Sequence, residues 1–232
     1  MTIETILFDH GNVLSRNSGP AEKEIAKKFK DDYGLDLDLD SVKTAMKEAL
    51  KGFTEGHVDE TQFWEKFAKL VKPRIEKPID RLLWMELGVE SDHLSEFDEE
   101  ALHIVYGLIR KGKRLGVASN IIKPLAAINR AKKRYLPFEK DLVFLSCELG
   151  ISKIHPEFFS VVCKKGRLNP RTTLFIDNVP EYVEIARSVG LEGISFDAGV
   201  EDYLVLNDRL KKYELDVNFS DIRLGDTGDI TS

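Results

Sequence analysis

The chain has 232 residues, 42% hydrophobic and 32% charged, with a formal net charge of −6. That is the composition of an ordinary soluble globular protein with a sizeable core, and its negative balance argues against generic nucleic-acid or anionic-membrane binding. No apolar stretch approaches the ~20 residues that span a bilayer. The opening Met1-Thr-Ile-Glu carries no signal-peptide features, and two cysteines, Cys147 and Cys163, suit packing positions in a reduced, cytoplasmic protein.

The first apolar run, Ile6-Leu7-Phe8, reads as a strand that ends on Asp9, followed at once by the turn formers Gly11 and Asn12. Residues 21–33 then place Ala21, Ile25, Ala26, Phe29 and Tyr33 at helical spacing. A second helix, capped by Asp40 or Ser41, carries Val42, Ala45, Met46, Ala49, Leu50 and Phe53 on one face. Asp59 and Gln62 form a capping-box start for a third, with Phe63, Trp64, Phe67, Leu70 and Val71. Pro78 opens a fourth, with Ile79, Leu82, Leu83 and Leu87 inward. Four amphipathic helices with short joints describe a small bundle, and its aromatic cluster, Phe63, Trp64, Phe67 and Trp84, is read as core.

After a polar linker the period changes. Asp98 caps a helix through Ile109, and Leu115-Gly-Val-Ala118 is a strand ending on Ser119-Asn120. A helix through Tyr135, a strand at 142–145 and a loop bearing Gly150 and Lys153 follow. Pro156 opens the next helix, Thr173-Leu-Phe-Ile176 is a strand ending on Asp177-Asn178, and Pro180 opens another helix. A strand near 194–196 and a helix near 200–213 complete the alternation, and the tail 215–232 has no period and is expected to be loose. Short apolar strands alternating with helices imply an α/β fold: a parallel sheet covered on both faces. The expected organisation is a core of residues 1–18 and 93–214 with an inserted helical-bundle cap over 19–92.

Ligands of such sheets bind beyond the strand tips. Those tips carry a carboxylate at Asp9, a hydroxyl and backbone donors at Ser119 and Asn120, a cation at Lys153, and a second carboxylate at Asp177. This set suits phosphoryl chemistry. A carboxylate can attack phosphorus to form an acyl phosphate, N–H groups at a helix start can hold phosphate oxygens, and a lysine offsets developing charge. Oxygen ligands can hold Mg²⁺.

In these four places the sequence resembles the haloacid dehalogenase-like hydrolases. Their first motif reads here Phe8-Asp-His-Gly-Asn-Val13, the second Gly116-Val-Ala-Ser-Asn120, the third Gly150-Ile-Ser-Lys-Ile-His-Pro156 and the fourth Leu174-Phe-Ile-Asp-Asn178. The resemblance covers residues 1 to about 214, implies a Rossmann-like core and includes a helical cap between the first and second motifs; the Asp-x-Gly-Asn-Val form is similar to a branch with sugar-phosphate phosphatases. It implies Asp9 as nucleophile, Ser119 and the backbone near Asn120 as phosphate holders, and Lys153 as the bridge between nucleophile and phosphate. Asp9, the Gly11 carbonyl, Asp177 and Asn178 would hold Mg²⁺, and the expected partner is a small phosphorylated metabolite.

Two departures stand out. Gly11 replaces the family's second Asp, the general acid/base, whose loss typically costs ~10²–10⁴-fold in rate. Asn178 replaces an acid, removing one negative charge from the metal set. His10 lies between two site positions and is expected to point away; His155 stands where an acid is common and reads as a helix-start surface residue. The leading expectation is a Mg²⁺-dependent phosphatase. The alternatives are a catalytically impaired phosphate-binding protein on the same fold and a metal-independent 2-haloacid dehalogenase, whose pattern Gly11 and the lone cap-entry Arg16 fit poorly.

Overall fold

The computed structural model describes residues 2–16, 34–72 and 96–219, together with 23, 26, 27 and 29–31. Five parallel strands form one sheet: β1 (Thr5–Phe8), β2 (Arg114–Ser119), β3 (Val143–Leu145), β4 (Thr173–Asp177) and β5 (Glu192–Ser195), in the order β3-β2-β1-β4-β5. The described helices are α1 (Leu39–Ala49), α2 (Glu60–Leu70), α3 (Glu99–Arg110), α4 (Lys123–Ala131), α5 (Ser146–Leu149), α6 (Pro156–Gly166), α7 (Pro180–Ser188) and α8 (Tyr203–Leu210).

β1 is the central strand, and all four of its residues are buried. Its side chains alternate between two cores. Ile6 and Phe8 pack with Leu115, Val117, Leu174 and Ile176 against α3 and α8. Leu7 packs with Ala118, Phe144 and Phe175 against Phe158, Phe159 and Val162 of α6 and Ala186 of α7. Burial on both faces explains why these strands read as unbroken apolar runs. The chain builds outward from β1 first to β2 and β3, then to β4 and β5, so the direction of winding reverses at β1. Open parallel sheets bind their ligands at such a reversal, beyond the strand tips.

The inserted helices have their own core. Val42, Ala45, Met46 and Ala49 of α1 meet Phe63, Trp64 and Phe67 of α2, with Phe29 and Phe53 completing it. Phe53 stacks on Phe63 at 4.7 Å, and the capping box at Asp59 and Gln62 forms with hydrogen bonds of 3.0 and 2.9 Å. Ile122 of the α/β core is buried in the same cluster. The described positions between 23 and 31 are helical. The expected fourth helix from Pro78, with Trp84, lies outside the described residues.

Some boundaries differ from the sequence reading. α1 is capped by Asp38 rather than Asp40 or Ser41, because the Asp38 carboxylate accepts from the backbone of both. β3 runs straight into α5 where a loop was expected. β5 lies at 192–195 because its register is set by β4, Leu174 facing Glu192 and Asp177 facing Ser195. α8 starts at Tyr203, where Asp202 caps the Leu204 amide at 2.8 Å. The tail is not loose at its start: Leu215 and Val217 are buried. Val217 is clamped by Asn207, which donates to its carbonyl and accepts from its amide. Residues 220–232 of that expected tail lie outside the described set.

Candidate active site

Asp9 follows β1 directly, and its amide donates to the Ile176 carbonyl at 2.8 Å, so the strand's pairing carries one residue past its end. Phe8 is level with Ile176 in β4, which puts Asp177 level with Asp9 on the neighbouring tip. Ser119 ends β2 on the other side and is buried. Beyond Asp9 the chain must turn back sharply. Asn12 takes a left-handed conformation at φ 54°, which asparagine tolerates better than most residues. Its carbonyl accepts from Ala198 at 2.7 Å, pinning the turn to the segment after β5. Gly11 sits inside this turn.

The Lys153 ammonium bridges the two carboxylates, 2.7 Å from Asp9 Oδ1 and 2.6 Å from Asp177 Oδ2. Lysine is almost never fully buried unless paired; here Lys153 is 2% exposed, Asp9 7% and Asp177 0%. Its ammonium also lies over the rings of Tyr182, at 5.2 Å, and Phe175, at 5.7 Å. The loop that delivers it is tied to the tip of β2, the Lys153 amide donating to Asn120 Oδ1 at 3.0 Å. Asp177 Oδ1 accepts from the Val179 amide at 2.8 Å, a local turn into α7.

Burial raises the Asp177 carboxyl to about 6, pulled back by Lys153 and pushed up again by Asp9. Burial pulls the Lys153 ammonium down, but the two carboxylates outweigh it and its pKa is raised. The trio is thus two buried acids around one shared cation.

Asp9, Lys153 and Asp177 are in direct contact, and Asn120 reaches them through the lysine's backbone. Ser119, Gly11 and Asn178 occupy the adjoining tips and turn. His10 faces away as expected: its Nδ1 is 3.2 Å from the Tyr135 hydroxyl, and its ring meets Phe97 edge-on. His155 sits at the N-terminus of α6 and is not a bystander, because its Nε2 lies 3.3 Å from Glu55 of the inserted helices. Two residues were missed in the sequence. Tyr182 flanks Lys153, its ring 5.2 Å from the ammonium; its only sequence signal is a place in the first turn of the helix after Asp177. Glu55 accepts from Ser152, the residue before Lys153, at 2.7 Å; nothing in its local sequence marks it.

The oxygen set of Asp9, the Gly11 carbonyl, Asp177 and the Asn178 amide suits a hard divalent cation. Among the described residues, no group of three or more His, Cys, Asp or Glu side chains could hold a metal, so such a cation would depend on the neutral oxygens as well. Formal charge also favours one: two carboxylates and one ammonium leave a net −1.

A scan against models of protein families finds no match. Among solved structures, the chain is similar to a predicted HAD-like family hydrolase from Porphyromonas gingivalis. That likeness has a TM-score of 0.70 at 21% identity, over 91% of this chain and 99% of that one. It is also similar to a HAD family enzyme from Bacteroides thetaiotaomicron in complex with magnesium and inorganic phosphate, with a TM-score of 0.64 at 18% identity, over 88% and 98%. An L-2-haloacid dehalogenase from Xanthobacter autotrophicus follows at 0.60 and 15%, over 90% and 83%. At these identities the likeness is one of fold.

Proposed function

We infer that this chain, built on the fold of the haloacid dehalogenase-like hydrolases, is a Mg²⁺-dependent phosphatase of a small phosphorylated metabolite. The observation that carries the reading is the Lys153 bridge, which fixes a nucleophile and a second acid at adjacent strand tips. Lys153 holds Asp9 by one carboxylate oxygen and leaves the other to attack phosphorus. The attack forms an aspartyl phosphate on Asp9 and releases the alcohol; water then cleaves that acyl phosphate. In this reading Ser119 and the backbone at Asn120 hold the transferring group's oxygens, and Lys153 offsets its growing charge. Bound Mg²⁺ would neutralise the phosphoryl oxygens and screen Asp9 from the dianion. Its binding in the Bacteroides thetaiotaomicron enzyme supports that cofactor here.

The reading is tested by hydrolysis of p-nitrophenyl phosphate and a set of sugar phosphates with Mg²⁺. Turnover is expected in the native protein and lost in Asp9→Asn; turnover unchanged in that variant rules the assignment out.

A phosphate-binding protein without turnover is the second reading, favoured by Gly11, which offers no acid/base. It expects thermal stabilisation by phosphate esters with no hydrolysis, and clear turnover of any ester rejects it. The dehalogenase reading gains nothing from Arg16. That guanidinium is engaged by Asp98 at 3.0 Å and Glu100 at 2.7 Å and lies over the Tyr203 ring.

A further inference from the structure

Segment 54–57 of the inserted helices is laid onto the starts of α4 and α5 and the loop that carries Lys153. The Thr54 carbonyl accepts from Ser146, the Gly56 carbonyl from Lys123 at 3.1 Å, and the Glu55 carboxylate from Ser152 at 2.7 Å. The approach needs glycine at 56: its φ is +71°, and a Cβ there would stand 2.8 Å from the Cys147 carbonyl oxygen. This docking brings Glu55 between two imidazoles. Oε1 lies 3.3 Å from His155 Nε2 and Oε2 lies 3.4 Å from His57 Nδ1.

Exposed ion pairs usually contribute little and mean little. Here the side chain of Glu55 is only 18% exposed, while that of His155 is 52% exposed. A largely buried carboxylate orienting an accessible imidazole is the arrangement that tunes a histidine for proton transfer. Glu55 is tied to the segment that carries the site lysine: Ser152, which donates to it, directly precedes Lys153, whose ammonium touches Asp9.

We propose that His155, oriented by Glu55, is the proton donor and acceptor that Gly11 does not supply. The proposal rests on the phosphatase reading. As Asp9 forms its bond to phosphorus and the ester P–O bond breaks, the imidazolium of His155 gives its proton to the leaving oxygen, releasing an alcohol. The neutral imidazole then takes a proton from the water that attacks phosphorus. The Asp9–phosphorus bond breaks, inorganic phosphate leaves, and carboxylate and imidazolium are restored. Glu55 is the charged group that meets His155; Glu55 also meets His57, while Lys123 of α4 is tied to the Gly56 carbonyl and Lys153 is turned inward to its two acids.

An alkyl phosphate leaves as a strong base and needs this proton; p-nitrophenyl phosphate leaves as a stabilised phenolate and needs it far less. Native protein, His155→Gln and Glu55→Gln are compared with Mg²⁺ on p-nitrophenyl phosphate and on the best-hydrolysed of a set of sugar phosphates. His155 makes no capping hydrogen bond through its side chain, so its variant is expected to fold, which a melting curve checks. His155→Gln is expected to lower kcat on the sugar phosphate at least about tenfold more than on the aryl ester. It also removes the basic limb of the sugar-phosphate kcat–pH profile. Glu55→Gln is expected to lower kcat on the sugar phosphate more than on the aryl ester in the same sense, because the imidazole loses the carboxylate that orients it. Equal losses on both esters, or none on either, overturn the proposal and leave the phosphatase reading standing. Native hydrolysis of the aryl ester with none of any sugar phosphate overturns it too. Turnover that survives Asp9→Asn removes both.

Discussion

Lys153 carries a stability cost that can be measured apart from any activity. Removing one partner of a buried charge cluster leaves the others uncompensated, typically at 3–5 kcal/mol. Lys153→Met is therefore expected to lose about that much at pH 8. The sign of its pH dependence follows from Asp177, whose carboxyl is raised from 3.8 to about 6 in the folded protein. A group with a raised folded pKa favours the fold when protonated, and that contribution is lost as pH rises through the raised value. Without its cation Asp177 is pushed further in the same direction, so the penalty should shrink as pH falls toward 5. Urea denaturation of both proteins at the two pH values reads this, and an equal loss at both contradicts it. At this scale the sequence was most legible where chemistry ends an apolar run: Asp9, Ser119 and Asp177 announce themselves by breaking strands. His10 was legible too, through the alternation of side chains along β1. Glu55 and Tyr182 were not, because each reaches the site by the packing of its segment and not by any local pattern.

The helices and strands were mostly readable from their periods and caps, Asp98 and the Asp59–Gln62 box above all. What failed was where tertiary contact outweighs pattern. Leu215 and Val217 look like a polar tail in sequence, yet Val217 presses on the backbone of α3 at Gly107, where an added Cβ would lie 2.4 Å from Val217 Cγ1. That contact gives a test of element packing. Alanine is the better helix former by about 1 kcal/mol, so Gly107→Ala should stabilise a helix whose face is free. Against the docked tail it is expected instead to destabilise by about 1–3 kcal/mol, the usual cost of overpacking. Val217→Ala in the same chain should recover part of that loss as a coupling energy. A more stable Gly107→Ala protein means that the tail does not sit there.

The alternation of strands and helices was enough to place one parallel sheet with a helical insertion. It does not carry the strand order, which depends on β4 pairing with β1 across 160-odd intervening residues, nor the docking of segment 54–57 on the core. The molecule bears a net −6, and its candidate site a net −1 from Asp9, Asp177 and Lys153. Neither field draws in a phosphate dianion. Inorganic phosphate alone is accordingly expected to leave the melting temperature unchanged, while Mg²⁺ and phosphate together raise it; equal stabilisation with and without Mg²⁺ contradicts the charge argument.

The covalent step can be observed directly by quenching the protein in acid during turnover of a phosphate ester with Mg²⁺ and weighing it by mass spectrometry. A single phosphoryl group on the peptide containing Asp9, absent from Asp9→Asn, is the expected result. Steady hydrolysis with no adduct at Asp9, and undiminished in Asp9→Asn, would mean that this carboxylate is not the nucleophile.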